Sequence, residues 1–364
     1  MIHAVLTLPM TLPDRPDASA PQPAETYRVV AIGGGTGLSA LLHGLKRYAP
    51  RRPGSDRGAE QHPGPLVDIT AVVTVTDDGG SSGRLRREFS VLPPGDIRNC
   101  MVALSEDEAL LSRLFQYRFP RGRGLKGHSF GNLFLTALTD ITGDFPQAVR
   151  VSSDVLAIAG RIYPSTTQNV TLVARLADGT RVEGETRISR SRSRIRRISL
   201  RPRRVKPLPE TLQAIAEADL ITLGPGSLFT SVIPNLLVEG IPEALRASPA
   251  VKAYFVNLMW QPGETMHFTA ADHVEAIYRH AGEGWLDYVI VNTRPVSEEL
   301  RARYARRRAQ PVEIDFDRLE RLGVKVLARD LLQEGDKVRH DPAATAQVAL
   351  ELAAEGRRRA SGKR

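Results

Sequence analysis

Residues 29–42 read VVAIGGGTGLSALL, and this stretch decides the fold of the chain. The apolar run before the glycines predicts a buried β-strand, and the leucines after them recur at helical spacing. A glycine-rich turn between a strand and a helix lets the backbone approach a ligand, and the helix N-terminus attracts negative charge. We therefore expect phosphate to bind at Gly33, Gly34, Gly35, Thr36 and Gly37.

Residues 35–40 also match the pattern G-x-G-x-x-A of dinucleotide-binding turns. In the nicotinamide version of this turn, a ribose-binding acidic residue follows about 20 residues later. Here the first carboxylate at the end of the second predicted strand is Asp77, which lies 40 residues after Gly37. An NAD(P)-dependent oxidoreductase therefore stays open only as a weaker alternative.

Similar turns recur further along the chain. GPGS at residues 224–227 follows the strand-like LITL, and GHSFGN at residues 127–132 opens an apolar helical pattern. Parallel strands bring such turns to one edge of a sheet, so we expect them to share a crevice. Packing or a backbone hydrogen bond accounts equally well for His128 and Asn235. The additional ligand candidates are His128, Asn132, Gly224, Gly226, Ser227, Asn235, Asn257, Asn292 and Arg294.

Residues 74–99, TVTDDGGSSGRLRREFSVLPPGDIRN, combine paired carboxylates, hydroxyls and arginines after a second strand-like run. This combination suits a phosphorylated ligand held together with a metal ion. Asp77 and Asp78 are candidate Mg²⁺ ligands, although taken alone they also fit an Asx turn onto the following glycines. The ligand candidates in this loop are Asp77, Asp78, Ser81, Ser82, Arg84, Arg98 and Asn99.

The order of strand-like and helical patterns predicts the architecture. Residues 27–355 alternate between the two, which indicates a single α/β domain with a doubly wound, mostly parallel, Rossmann-like sheet. Within it, alternation on both sides of an Asp-Gly turn predicts a small β-rich hairpin insertion at about residues 168–206. Residues 1–26 are rich in Pro and Ala and are expected to form a disordered leader, and residues 356–364 a disordered basic tail.

The formal net charge of +9 is unevenly distributed. Residues 187–206 contain ten basic residues and no acidic one. No aromatic side chain accompanies them for base stacking, so we interpret them as a solvated strand-bearing segment and do not expect nucleic-acid binding. The single cysteine, Cys100, excludes an intrachain disulfide. No apolar run approaches the ~20 residues of a membrane span, and we expect a cytoplasmic protein.

Familiar catalytic patterns are missing from the sequence. It contains no Walker G-x-x-x-x-G-K-[ST], no H-E-x-x-H and no Ser-His-Asp order. P-loop NTPases and familiar hydrolases are therefore disfavoured. Several anion-binding turns without an evident nucleophile or general base favour a binding protein, for which we assign no catalytic residue.

Several ordered motifs resemble the YvcK/CofD superfamily, and in particular its YvcK branch, the gluconeogenesis factors. They are GGGTGLSALLHGLK, TVTDDGGSSGRLR, PPGDIRNCMVAL, GHSFGNLFLTAL, GPGSLFTSVIPNLLV and NLMWQPGETMHFTAADH. The resemblance implies a Rossmann-like, cytoplasmic protein that binds UDP-sugars, notably UDP-N-acetylglucosamine. It also implies regulation of cell shape and cell-wall synthesis during gluconeogenic growth, with proteins of cell-envelope synthesis as candidate partners.

The other branch of this superfamily contains the Mg²⁺-dependent 2-phospho-L-lactate transferases. The chain shares their paired acids at Asp77 and Asp78, but residues 79–99 lack the second acidic motif that the resemblance would require. Two hypotheses follow: a UDP-sugar-binding regulator that needs no cofactor, and a Mg²⁺-dependent transferase that acts on a nucleotide-activated substrate. In the first, the two glycine turns hold the diphosphate, and Thr36, Asn235 and Arg294 contact phosphate or sugar. The oligomeric state stays open, including a homo-oligomer.

Overall fold

A computed structural model describes residues 25–50, 65–105 and 109–362 of the chain. The expected leader, except for its last two residues, lies outside this part, as do the last two residues of the expected tail. The described strands, numbered along the chain, are β1 (Thr26–Gly33), β2 (Leu66–Val73), β3 (Arg161–Pro164), β4 (Thr171–Leu176), β5 (Arg181–Glu183), β6 (Ile195–Arg201), β7 (Leu220–Leu223), β8 (Val251–Phe255), β9 (Tyr288–Asn292), β10 (Lys325–Arg329), β11 (Leu332–Gln333) and β12 (Arg339–His340).

Seven of these strands form the central sheet, in the order β10-β9-β8-β7-β1-β2-β3. All neighbours in it are parallel, which confirms the expected doubly wound sheet. From β1 the chain runs outward through β2 to β3, and it later returns to β7 and runs the other way to β10. Strand order therefore reverses between β1 and β7, and ligands of such sheets bind outside the carboxyl ends of the strands at this point.

Helices cover the sheet because their apolar faces need a partner surface. Leu38, Leu41, Leu42 and Leu45 of the first helix, for example, are fully buried. The α-helices are α1 (Gly35–Leu45), α2 (Gly80–Phe89), α3 (Gly95–Leu104), α4 (Ala109–Gln116), α5 (Phe130–Thr142), α6 (Phe145–Val155), α7 (Glu185–Ile188), α8 (Pro209–Glu217), α9 (Ile233–Leu236), α10 (Ile241–Ala247), α11 (Ala270–Ala281), α12 (Glu298–Ala305), α13 (Phe316–Arg321) and α14 (Pro342–Ala360). A 3₁₀ turn (Lys46–Tyr48) extends α1, and a π-helix (Leu228–Val232) precedes α9.

The C-terminal helix corrects one prediction. Residues 356–360, expected to begin a disordered tail, continue α14 as regular helix. Arg357 anchors this end, because its guanidinium donates to both carboxylate oxygens of buried Asp219, at 2.8 and 2.7 Å, and to the carbonyl oxygen of Thr26 at 2.7 Å. A two-point arginine–carboxylate pair is geometrically specific, so the basic end of the helix is held against the sheet.

The predicted β-rich insertion is present and has one more strand than a hairpin. The strands β5, β4 and β6 form a three-stranded antiparallel sheet. The Asp178 carboxylate accepts from the backbone N–H of Thr180 at 2.9 Å, and Gly179 has a φ of +85°, as the predicted turn requires. The third strand, β6, lies within the arginine-rich segment and buries Ile195, Ile198 and Leu200 between exposed arginines.

Within the described residues, no single helix has both the length and the apolar character needed to cross a membrane. One helix pair, Leu228–Leu236 and Ile241–Ala247, would meet that test only when joined across its 76° bend.

Candidate functional site

A cleft of about 560 Å³ opens at the reversal of strand order, beside the carboxyl ends of β1, β7 and β8. Its size falls in the range typical of small-molecule sites. We call it the main cleft. Its floor is formed by the two predicted glycine turns and the segment after β8, and its outer wall comes from α12 and the β11–β12 hairpin. Its lining includes Gly34, Gly35, Thr36, Gly37, Gly226, Ser227, Asn257, Trp260, Gln261, Arg303, Tyr304, Arg307, Asp336, Lys337, Arg339 and His340.

The first glycine turn connects β1 directly to α1. Gly34 precedes the helix without any side-chain cap, and Thr36 is exposed in its first turn. The carboxyl of Asp96 lies against this turn, where a Cβ on Gly34 would stand 2.6 Å from its Oδ2. Among the described residues, no side chain caps the first N–H groups of α1, which include those of Thr36 and Gly37. These two donors lie at the positive end of the α1 dipole, which favours an anion beside them.

The second glycine turn lies against the first. A Cβ on Gly37 would stand 2.6 Å from the carbonyl oxygen of Pro225 and 2.9 Å from the nitrogen of Gly226. Asn257 and Gln261 fix this turn from the other side, by donating to the carbonyl oxygen of Gly226 and to the hydroxyl of Ser227, both at 2.9 Å. The predicted meeting of these turns at one sheet edge is therefore observed.

Asn257 and Gln261 each keep one unused acceptor. The amide oxygens of both side chains are buried and have no hydrogen-bond partner. Buried polar atoms in folded proteins nearly always have a partner, so such a pair in residues that line one cleft calls for an explanation. Hydroxyl or N–H donors of a bound ligand would supply it.

The outer wall of the main cleft is strongly basic. Arg303, Arg307, Lys337 and Arg339 are all exposed to it, whereas Asp336 is the one acidic residue in the lining. Arg303 donates to the carbonyl oxygen of Asp336, which ties α12 to the hairpin. A concave surface with an excess of cations over a helix N-terminus is suited to a ligand with several negative charges.

His340 does not contribute to this charge. It is 8% exposed, its ring Nε2 lies 3.2 Å from the carbonyl oxygen of Val256, and burial lowers its pKa to about 4. The imidazole is therefore neutral near pH 7, and Nε2 is the natural donor to that carbonyl. The residue holds the β11–β12 hairpin onto the end of β8.

Two aromatic side chains border the main cleft. The indole N–H of Trp260 donates to the carbonyl oxygen of Phe268 at 3.0 Å, and its ring packs edge-on against His267 with 4.7 Å between centroids. The Tyr304 hydroxyl accepts from the backbone N–H of Val338 at 3.1 Å. Trp260 is thus held in place and half-buried, as a platform for a planar group would need to be.

Asn235 is not part of the lining of the main cleft. Its side chain is fully buried and donates to the carbonyl oxygen of Ser231 at 2.7 Å and of Gly33 at 3.4 Å, while its amide oxygen has no hydrogen-bond partner. The structure therefore shows the backbone role that the sequence left open, and a ligand role for Asn235 stays a prediction. It secures the π-helix against the end of β1.

Asn292 and Arg294 lie in a different cavity. Asn292 donates to the carbonyl oxygen of Arg294 at 2.7 Å and accepts from the backbone N–H of Leu331 at 3.0 Å. The Arg294 guanidinium is exposed and lies 3.8 Å from the Asp330 carboxylate. Both residues line a separate cavity of about 290 Å³ that meets the main cleft only at Asn257 and Leu258. The expected shared crevice does not extend to β9.

The paired acids do not converge. Asp77 accepts from the backbone N–H of Gly79 at 2.8 Å, which is the Asx turn considered above. Asp78 points to the insertion and accepts from the N–H and the hydroxyl of Thr186, at 2.9 and 2.6 Å. No group of three or more potential metal ligands occurs in the described residues. The geometry of this pair does not fit a Mg²⁺ centre.

The other polar candidates form a cluster around α2, α3 and α5, away from the lining of the main cleft. Ser81 lies 3.0 Å from Nδ1 of His128, and Asn132 donates to the hydroxyl of Ser82 at 3.4 Å. Hydrogen bonds within the fold also occupy Arg84, which donates to the carbonyl oxygen of Lys126, and Arg98, which donates to Oδ1 of Asn99. A ligand role for Ser81, Ser82, Arg84, Arg98, Asn99, His128 and Asn132 stays a prediction.

Two carboxyl groups with raised pKa values, Glu185 and Glu264, lie where the insertion meets the rest of the fold. Burial raises the pKa of Glu264 to about 7, although its oxygens accept from Thr230 at 3.2 Å and from Ser189 at 3.3 Å. Burial, with Asp77 as the next cause, raises the pKa of Glu185 well above its usual range. Glu264 connects the insertion to the π-helix, so its protonation affects how these elements are held together.

We expect Glu264→Gln to flatten the pH dependence of stability. The native carboxyl keeps its proton up to about pH 7, whereas in the unfolded chain it has the ordinary glutamate pKa of 4.5 and loses its proton there. The folded state therefore binds more protons between these values, and stability falls as pH rises. Relative to Glu264→Gln, the native protein should lose roughly 3 kcal/mol of unfolding free energy between about pH 5 and pH 8 in urea titrations. The exposed Glu320→Gln is the control, and parallel profiles for all three proteins would refute the assignment.

Sequence reasoning missed the outer wall. Arg303, Arg307, Lys337 and Arg339 lie in segments that carry ordinary surface charge, and no glycine-rich motif marks them. Most of these four side chains have no acidic partner among the described residues. This lack of ion pairs can be recognised only in the three-dimensional structure. Trp260 lies in one of the motifs that carry the family resemblance, but the sequence did not assign it to the site.

Comparisons with known proteins identify the family of the chain. A family model described as 2-phospho-L-lactate transferase CofD matches residues 29–332. The gluconeogenesis factor of Bacillus subtilis is 46% identical over 329 residues, which make up 90% of this chain and 98% of that protein. The chain belongs to the CofD/YvcK family.

Other members of the CofD/YvcK family are equally similar. The gluconeogenesis factor of Halalkalibacterium halodurans is 47% identical over 324 residues, covering 89% of this chain and 95% of that protein. A crystal structure of a UPF0052 family member from Bacillus halodurans matches with a TM-score of 0.83 and 46% identity, over 90% of this chain and 99% of that one. The resemblance and the fold class inferred from sequence are confirmed.

Proposed function

We propose that this chain is a regulatory protein that binds a UDP-sugar, UDP-N-acetylglucosamine, in the main cleft. The observation that carries the proposal is the meeting of two glycine turns with four cationic side chains at the reversal of strand order. Backbone N–H groups at a helix N-terminus recognise phosphate, and arginine and lysine neutralise it. A diphosphate that joins two neutral groups matches such a site.

The remaining parts of the main cleft suit the two ends of this ligand. Trp260 offers a fixed aromatic face on which a pyrimidine base can stack. The unpartnered amide oxygens of Asn257 and Gln261 suit the many hydroxyl donors of ribose and N-acetylglucosamine. A cleft of about 560 Å³ leaves room for both ends together with the diphosphate.

The lining of the main cleft favours binding over chemistry. Asp336 is its one acidic residue, and neutral His340 is already paired with the carbonyl oxygen of Val256. A transferase needs a positioned acid, base or nucleophile within reach of the reacting atoms. The groups that face the cleft are cations and amides, which bind and orient a ligand.

The cellular role follows from the family. Relatives that align along most of this chain are named gluconeogenesis factors. We propose that the chain acts in the cytoplasm and reports UDP-N-acetylglucosamine supply to proteins of cell-envelope synthesis. Cell shape during gluconeogenic growth would then depend on it.

The transferase remains the second candidate. It is favoured by the description of the matching family model and by the Asp96 carboxyl, which lies against Gly34 and whose pKa is raised to about 7 by burial. In that case a nucleotide-activated substrate would occupy the same cleft, and turnover would require a divalent cation.

Calorimetric titration with UDP-N-acetylglucosamine, with and without Mg²⁺, separates the two candidates. We expect one ligand per chain, equal affinity in both conditions, and intact ligand on recovery. Turnover of a nucleotide-activated substrate that stops on chelation would support the transferase. Failure of UDP-N-acetylglucosamine to bind in either condition would refute the proposed function.

A further inference from the structure

A second basic surface lies on the insertion, outside the lining of the main cleft. It is a groove of about 640 Å³ lined by Arg175, Ala177, Arg194, Ile195, Arg196, Arg197 and Arg279, with no acidic residue in its lining. We call it the arginine groove. It shares no residue with the lining of the main cleft. Its volume is that of a small-molecule site, although its walls are far more polar than is usual.

Strand pairing places like charges side by side in this groove and next to it. Arg175 on β4 pairs directly with Arg197 on β6, and on its other side with Arg181 on β5, which lies outside the lining of the groove. Residues in register project from the same face of a sheet, and like charges in such pairs destabilise it. A row of three arginines across three strands is thus an arrangement that fold stability alone disfavours.

Few acidic groups offset this row. Arg181 lies 3.3 Å from the Glu183 carboxylate, which also pairs with Arg201. Arg175 and Arg197 are exposed and have no ion-pair partner among the described residues. Burial lowers the pKa of nearby His280 to about 4, and the positive charges of Arg197 and Arg279 act in the same direction. The histidine adds no charge to the groove near pH 7.

Two further contacts give the groove a defined shape. Arg279 of α11 donates to the carbonyl oxygen of Arg196 at 3.4 Å, which closes the free edge of β6. The Arg194 guanidinium lies 4.8 Å from the ring centroid of buried Phe268 and 3.8 Å from the Asp272 carboxylate. Fixed guanidinium groups lose less freedom when they bind an anion, and their planar forks match phosphate oxygens.

We propose that the arginine groove is a second anion site, for a small ligand that carries several phosphate groups. Several adjacent phosphates satisfy a row of guanidiniums better than one carboxylate does. A concave groove of limited volume fits a small molecule better than a flat membrane. No exposed aromatic side chain lines it for the stacking that single-stranded nucleic acid requires. This site is independent of the proposed function of the main cleft.

The test uses inorganic tripolyphosphate as the probe and a Lys337→Ala/Arg339→Ala background, which removes two of the four competing cations from the main cleft. We expect this background protein to bind one tripolyphosphate at an ionic strength of about 0.15 M and to melt at a higher temperature with it. Addition of Arg175→Gln and Arg197→Gln should weaken binding by about ten-fold or more. The matched control is Arg121→Gln/Arg123→Gln, which removes two exposed charges elsewhere and should change the affinity by about two-fold or less.

A second measurement, the melting temperature without ligand, shows whether Arg175 and Arg197 serve ligand binding or the stability of the fold. Because Arg175 and Arg197 repel each other, the ligand-free glutamine variant should melt at the same temperature as its background or higher. A lower melting temperature, or equal loss of binding in both double variants, would overturn the proposal. Tighter binding of a short DNA duplex than of tripolyphosphate, lost in Arg175→Gln/Arg197→Gln, would overturn it in favour of a nucleic-acid surface.

Discussion

A Gly37→Ala variant is expected to lose UDP-N-acetylglucosamine binding and to unfold more easily than the native protein. The new methyl group would stand 2.6 Å from the oxygen and 2.7 Å from the carbon of the Pro225 carbonyl. Both atoms belong to backbone, so neither can rotate away, and the two glycine turns must separate. Overpacking of this kind costs about 1–3 kcal/mol of unfolding free energy. Urea unfolding and calorimetry measure the two effects.

Gly33→Ala is the matched control for this prediction. A Cβ at Gly33 would meet the Cα of Gly224 and the Cβ of Leu38 at 3.6 Å, which is ordinary van der Waals contact. The control should bind the ligand nearly as well as the native protein. If Gly37→Ala bound the UDP-sugar with native affinity, the contact between the two turns would not be needed for the site.

The double variant Lys337→Ala/Arg339→Ala is expected to weaken UDP-N-acetylglucosamine binding by about 100-fold or more. Hydrogen bonds to charged groups contribute about 1.5–3 kcal/mol each, and two of them are removed. Both side chains are exposed on or beside the β11–β12 hairpin, so their truncation should leave the unfolding free energy nearly unchanged. Calorimetry gives the affinity, and urea unfolding checks that the fold is intact.

Arg294→Ala is the control for the prediction that cations of the outer wall bind the ligand. Its guanidinium lies in the neighbouring cavity beside Asp330, so the variant should bind with nearly native affinity, contrary to the expectation from sequence alone. A large loss in Arg294→Ala together with an unchanged Lys337→Ala/Arg339→Ala would reverse the assignment. The ligand would then occupy the cavity at β9 and not the main cleft.

The glycine turns were predictable because their demands are local. A strand that ends in Gly33 and a helix that begins at Gly35 leave little choice of backbone path, and Gly35 has the positive φ of +65° that favours glycine. The second turn repeats this signal at Gly224, with a φ of +72°. The alternation of strands and helices predicts a parallel sheet. In such a sheet both turns lie at the edge formed by the carboxyl ends of the strands.

The outer wall of the main cleft was not predictable because its parts lie far apart in the sequence. α12 and the β11–β12 hairpin approach the glycine turns only through tertiary packing, in which Tyr304 accepts from Val338. The acidic loop misled the sequence analysis for the same reason. The sequence made Asp78 a candidate Mg²⁺ ligand. In the structure its carboxylate accepts from Thr186 of the insertion, which lies more than a hundred residues later in the chain.

Some short or irregular elements could not be predicted, because their residues carry no distinctive sequence pattern. β3 has four residues, which are too few for a periodic pattern to reveal it, and it follows closely on a helix that ends at Val155. The π-helix at Leu228–Val232 is fully buried, so its composition does not distinguish it from an α-helix. The sequence predicted a disordered basic tail in place of the end of α14. The reason is that Asp219, the residue that binds Arg357 of this helix, lies in a distant part of the chain.

A crystal structure of the protein with UDP-N-acetylglucosamine tests the central claim most directly. The account predicts diphosphate oxygens within about 3 Å of the backbone N–H groups of Thr36 and Gly37, with Lys337 or Arg339 on their other side. The base would stack on Trp260. A ligand seated beside Arg294, or against His128 and Ser81, with the main cleft empty, would contradict the account.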